Sequence, residues 1–136
     1  MIINNIVKFL KECPLLEEYK IKVDYLGETA GNCTVYPMPC SPVVKRYTDG
    51  GMLKQYLFAF ASREYIDATD ESNVKNQIFY EEFSKWLDEK SDKGELPDIE
   101  EGTVQSIEAV DQGYLLSDDK RTGAYQIQCR LKYLTD

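Results

Sequence analysis

Few side chains in this sequence can carry chemistry, and histidine is missing from all 136 positions. Without it no Ser-His-Asp triad, no Cys-His pair and no imidazole ligand for zinc can be assembled. Most familiar hydrolase mechanisms are thereby excluded. Four cysteines, Cys13, Cys33, Cys40 and Cys129, lie 20, 7 and 89 positions apart with no CxxC pair. Zinc sites draw their ligands in close pairs, so these are predicted as reduced thiols, mostly buried as small hydrophobes. Glu64, Asp67, Asp70 and Glu71 offer hard oxygen donors suited to Ca²⁺ or Mg²⁺. They lack EF-hand spacing and a mid-loop glycine, and a solvated acidic loop is the stronger expectation. Paired carboxylates for glycosidase chemistry need one acid in an apolar pocket beside another that stays ionised. Glu81-Glu82 and Asp88-Glu89 instead fall on the polar stripe of a helix. Neither GxGxxG nor a P-loop is present, and Gly50-Gly51 precedes a strand, the wrong context for a phosphate cradle. The expectation is no enzyme, no cofactor and no metal.

Charge and hydropathy narrow the classes further. Sixteen basic and 24 acidic side chains give a net charge of −8, which argues against nucleic acid as a partner. Apolar runs reach only four or five residues, far short of the ~20 that a spanning helix needs. The start, MIINNIVKFLKE, has no basic n-region and no small-residue cleavage site, so neither a membrane nor a secretory route is expected. The charge is uneven. Residues 1–63 hold 8 basic and 6 acidic side chains, residues 64–101 hold 4 and 13, and residues 102–136 hold 4 and 5. Nearly all the acidity lies in the middle block. A molecule polarised in this way suits head-to-tail association of copies.

The elements that must position these residues follow from periodicity. Ile3, Ile6, Val7, Leu10 and Cys13 make an apolar helix face, stopped by Pro14. Tyr19, Ile21, Val23 and Tyr25 alternate with Lys20, Lys22 and Asp24 as a strand with one wet face, and a turn at GETAGN leads to a short return strand over Cys33–Tyr36. Pro37, Pro39 and Pro42 then predict an edge strand running into an extended connection. After the polar turn KRYTDGG, the segment MLKQYLFAFASREYI is apolar on both faces and is predicted as the central strand. Its small Ala59 and Ala61 would let a helix pack closely on their side. DATDESN is predicted as a polar loop before a helix from about Val74 to Lys90, with Phe79, Phe83, Trp86, Leu87 and Lys90 on one stripe and Gly94 as its cap. Three strands close the chain, near Val104–Val110, Tyr114–Leu116 and Tyr125–Tyr133. The order predicts one domain over 1–136 of the α+β class: a largely antiparallel mixed sheet of about five or six strands packed against two helices. Ten tyrosines are numerous for this length, and tyrosine is favoured at protein interfaces.

As a set, KRYTDGGMLKQYLFAFASREYI, FYEEFSKWL and GYLLSDDKRTGAYQIQCRLKYL resemble a small phage and prophage minor capsid protein of Firmicutes, a family similar to the tail terminator (tail completion) proteins of long-tailed phages. The resemblance covers nearly the whole chain and lies in overall pattern, not in a chemical signature. It implies a tail-terminator-like fold and a structural virion protein of the tail and neck, made in the cytoplasm of the bacterial host. It further implies a ring of copies, generally a hexamer, that caps the tail tube, stops its polymerisation and meets the head-neck connector. The chloramphenicol-resistance label carried by some members gains no support here, because that acetyl transfer depends on a histidine base. Within this reading Lys45, Arg46, Tyr47 and Asp49 form an exposed charged turn and are candidates for a subunit or partner interface. The alternative expectation is a small acidic prophage factor that binds a host protein by mimicking the charge of DNA.

Overall fold

Clusters of alternating apolar residues and one amphipathic stripe set the architecture. In the computed structural model the described residues are 1–24, 26–27, 30–66, 70–118 and 121–136, without the side chains of 70–72. Helix α1 (Ile2–Leu10) buries Ile2, Ile3, Ile6, Phe9 and Leu10, and a 3-10 turn (Pro14–Leu16) follows with Pro at its start. Four strands come next: β1 (Lys20–Val23), β2 (Asn32–Pro37), β3 (Val43–Arg46) and β4 (Met52–Tyr65). Helix α2 (Asp70–Lys93) then leads to β5 (Thr103–Ala109), β6 (Tyr114–Asp118) and β7 (Thr122–Thr135). The fold is α+β, a mixed sheet of seven strands with two helices.

β4 and β7 form its spine. They pair antiparallel over all fourteen residues, from Met52 opposite Thr135 to Tyr65 opposite Thr122. Shorter strands flank the two halves of this ribbon. β2 and then β1 lie beside the C-terminal half of β4, and β3 beside its N-terminal half. β5 and β6 divide β7 in the same way. The segment with two apolar faces is central, as its composition requires.

Several boundaries and pairings differ from the expectation. The sheet has seven strands because Val43–Arg46, expected within a connection and turn, pairs with β4 across a bulge. β2 is an interior strand and not an edge, since β1 hydrogen-bonds to its outer side. That pairing is parallel, with Ile21 beside Cys33 and Val23 beside Val35, in place of a hairpin return. Tyr25 and part of the GETAGN turn lie outside the described residues. Helix α2 begins at Asp70, four residues before its expected start, and absorbs most of DATDESN. Gly94 ends the helix with φ of 71°, and its amide donates to the Ser91 carbonyl, the left-handed cap that glycine adopts most cheaply.

Both helices pack on one face of the sheet. Phe60 stacks on Phe83 at 4.6 Å and leans on Tyr80 at 6.1 Å. Tyr125 stacks on Tyr80, and Phe9 of α1 meets Trp86 of α2 at 5.1 Å. The core therefore lies between the Phe58–Phe60 and Tyr125–Leu131 side of the ribbon and the inner faces of α1 and α2. The helix expected over Ala59 and Ala61 is on the other side. These alanines are nevertheless 0% and 2% exposed. Alternation puts Tyr36, Gln126 and Tyr114 on their face. The Tyr36 hydroxyl donates to Gln126 Oε1, and Gln126 Nε2 donates to Tyr114 Oη at 3.0 Å. Small residues on the central strands leave room for this polar strap to lie flat across β2, β4, β7 and β6.

Three of the four thiols, Cys13, Cys33 and Cys129, are fully buried, and Cys40 is exposed. Burial pushes up the pKa of each of these three thiols, Cys33 to about 12. One thiol per chain is expected to react rapidly with Ellman's reagent in the native state and four after denaturation. Two fast thiols would show that a core cysteine is accessible.

Candidate interaction surfaces

The residues singled out in the sequence sit at the tip of the β3–β4 hairpin, where every position from 44 to 50 is exposed. The tip is a built turn. The Tyr47 amide donates to the Gly51 carbonyl at 2.8 Å and the Gly50 amide to the Tyr47 carbonyl at 3.1 Å. Gly50 adopts φ of 93°, and Asp49 Oδ1 accepts from the Gly51 amide at 2.9 Å. Asp49 therefore shapes the turn, as short polar side chains commonly do. Lys45 and Arg46 belong to β3 and point to opposite faces. Lys45 Nζ lies 5.3 Å from the centroid of the Tyr47 ring, and Arg46 Nη1 donates to Met52 Sδ at 3.3 Å. A shallow depression of 360 Å³ separates the tip from the end of β7, lined by Tyr47, Asp49, Gly51 and Leu134–Asp136. Lys45 and Tyr47 act together, Arg46 stands apart, and Asp49 is occupied by the backbone.

The acidic candidates divide as well. Glu64 does not face water: it is 9% exposed, and Tyr19 Oη donates to its two carboxylate oxygens at 2.8 and 2.9 Å. Next to it Ser62 Oγ lies 2.5 Å from Tyr80 Oη, which also donates to the Tyr125 carbonyl. Burial raises the Glu64 pKa above the ordinary carboxylate range, while hydrogen bonds from Ser62 and Tyr19 pull it back. Asp67 lies outside the described residues, as do the side chains of Asp70 and Glu71. Among the described residues no three metal-ligating side chains come together.

A carboxylate that holds its proton more tightly when folded favours the folded state at low pH. That contribution is complete below the ordinary carboxylate pKa and is lost as pH rises through the raised value. Glu64→Gln is expected to flatten the dependence of stability on pH in this window and to gain relative to the parent at neutral pH. Urea unfolding at a series of pH values checks this; parallel curves for the two proteins would refute it.

Two broad charged surfaces oppose each other; the sequence shows the polar stripe of α2 but not the face that lies across from it. Alternation and register put Lys20, Lys22, Arg63, Arg130 and Lys132 on the helix-free face of the sheet. A single described strand acid, Glu108, joins them there, bound to Arg130 at 2.6 Å. On the far side of the molecule, the outer stripe of α2 exposes Glu81, Glu82, Asp88, Glu89 and Asp92 around Lys85. Val74 and Ile78 lie on the same stripe and are 52% and 48% exposed. Each of these lysines and arginines had been legible as polar, but only strand order shows that they share a face. No described helix is long and apolar enough to cross a membrane. Compared with known proteins, the chain matches no protein-family model and no curated protein.

Proposed function

We propose that this chain is a structural virion protein of a long-tailed phage or prophage, a tail terminator or neck protein. Copies form a ring on the tail tube, end its polymerisation and present a surface to the head connector. Support comes first from where the family-like segments fall. KRYTDGGMLKQYLFAFASREYI is the β3–β4 hairpin, GYLLSDDKRTGAYQIQCRLKYL is the β6–β7 hairpin, and FYEEFSKWL is the middle of the helix that covers them. The resemblance therefore lies on one continuous structural unit. The observation that carries the reading is the opposition of a basic sheet face and an acidic helix face. Two different patches meeting head to tail give a ring when the rotation closes. A ring seated on a tube end covers the template for the next tube subunit, and that task requires no catalytic group. The hairpin tip with Lys45, Arg46 and Tyr47 is the proposed partner contact.

Native mass spectrometry of the chain, alone and with the tail-tube protein of the same phage, tests this. A defined ring, free or on the tube, is expected; a monomer that ignores the tube protein rejects the reading. The acidic stripe of α2 also suits a second reading, charge mimicry of DNA toward a host protein. A stoichiometric complex with a purified nucleic-acid-binding host protein, displaced by DNA, would favour it.

A further inference from the structure

We infer that the helix-free face of the sheet is the seat for the outer face of α2 from a second copy. This rests on the ring reading above and names the two surfaces that meet. A sheet of this kind has two faces, and α1 and α2 occupy one of them. The other face is neither loosely packed nor strongly apolar. Ala59, Ala61 and Ala124 form a buried floor under the Tyr36–Gln126–Tyr114 strap, with Leu57 and Gln128 half-buried beside it. Around this level floor stand Lys20, Lys22, Arg130 and Lys132, with Glu108 paired to Arg130. It is a platform whose rim carries positive charge.

The same chain carries the complement. The outer side of α2 has five exposed carboxylates, Glu81, Glu82, Asp88, Glu89 and Asp92, against three exposed lysines, Lys85 at its middle and Lys75 and Lys93 toward its margin. A groove of 350 Å³ runs along it between Ile78, Glu81, Glu82, Ser84, Lys85 and Asp88. Exposed Val74 and Ile78 add apolar area at the N-terminal half. The lengths agree. A helix of 24 residues is ~36 Å long, whereas the five strand positions from β1 to β5 span about 20 Å. One helix is therefore long enough to cross the platform from Lys20 and Lys22 on the edge strand β1 to Arg130 and Lys132 on β7.

Sheet-to-sheet pairing would bring two positive faces together, and helix-to-helix pairing two negative ones. Like charges in register are costly, so the two self-complementary modes are disfavoured. Sheet-to-helix contact is the remaining mode, and it is head to tail.

Reciprocal charge reversal tests the inference. Lys20→Glu, Lys22→Glu and Lys132→Glu together make the sheet face acidic, leaving Arg63 and Arg130 against four carboxylates, and leave α2 unchanged. Glu82→Lys with Glu89→Lys turns the exposed charges of α2 from five acids and three lysines into three acids and five lysines, and leaves the sheet unchanged. Sedimentation of the wild-type chain is expected to show assembly that weakens with salt. Each variant alone is expected to assemble roughly 100-fold more weakly or not at all. An equimolar mixture is expected to regain assembly, because every junction then joins opposite charges, and its rings contain the two variants in alternation. If both variants assemble alone as the wild type does, the interface is overturned while the ring reading stands. A wild-type chain that is monomeric even at millimolar concentration overturns the interface, and one that also ignores the tube protein overturns both. Should Lys132→Glu fail to fold, Lys20→Glu with Lys22→Glu reverses the exposed edge of the same face, and the same outcomes decide.

Discussion

Truncating Phe60 to alanine is expected to lower the unfolding free energy by about 3–5 kcal/mol. Phe60 is fully buried in the middle of β4, flanked by β2 and β7. Its ring stacks on Phe83 at 4.6 Å and touches Tyr80 at 6.1 Å, so it joins the spine of the sheet to the centre of α2. Alanine removes that ring from between two rigid elements, and a close-packed interior relaxes only in part around the void. Native domains hold roughly 5–15 kcal/mol in total, so this one change removes a large share. Equilibrium urea unfolding of the two proteins measures it. A loss below about 1.5 kcal/mol would show that the α2 contact is not the main core, because even volume-conserving swaps in a packed core cost up to about that. Tyr36→Phe provides the contrast on the opposite face. It removes only the donor to Gln126 and is expected to cost about 1 kcal/mol.

Gly113→Ala is the second large effect, with a loss of about 1–3 kcal/mol expected from overpacking. Gly113 precedes β6 and lies directly against α2. A Cβ added there would stand 2.4 Å from both Cβ and Cγ of Tyr80. Those atoms cannot swing away as the end of a long side chain would. Tyr80 is held at its far end by Ser62 and by the Tyr125 carbonyl, so α2 or the β5–β6 connection must move as a body. The strain falls on the same residue that Phe60 leans on. The double variant with Phe60→Ala is therefore expected to cost less than the sum of the two changes, since the cavity gives Tyr80 room. A double-mutant cycle by urea unfolding reads this coupling, and strict additivity would contradict it.

For assembly, the consequence is a division of labour between the faces. The helix side of the sheet holds the core, and changes there act on stability. The other side bears the strap and the basic rim, so Lys20 and Lys132 can be reversed in charge with little effect on the core. Glu64 belongs to the first group despite its place in an acidic segment.

Local pattern alone determined a good part of this molecule. The alternation of Tyr125, Ile127, Cys129, Leu131 and Tyr133 required a strand with one wet face, and the two apolar faces of the segment after Met52 required a central one. The stripe through Phe83 and Leu87, closed by Gly94, required a helix. These are consequences of side-chain period and of backbone preferences at single residues, which a sequence displays directly. Tertiary structure decided the rest. Whether β1 and β2 run parallel, whether Val43–Arg46 pairs, and which side of β4 the helices cover all depend on contacts between residues far apart in the chain. Ala59 and Phe60 both look like helix-facing positions until α2 has chosen between them. Glu64 looks like a surface acid until Tyr19 lies over it. The charge asymmetry was legible as a count, a nearly balanced first half and an acidic middle. Its arrangement as two opposite faces was not, because Lys20, Lys22, Arg130 and Lys132 come onto one face only when β1, β2, β4 and β7 are laid side by side.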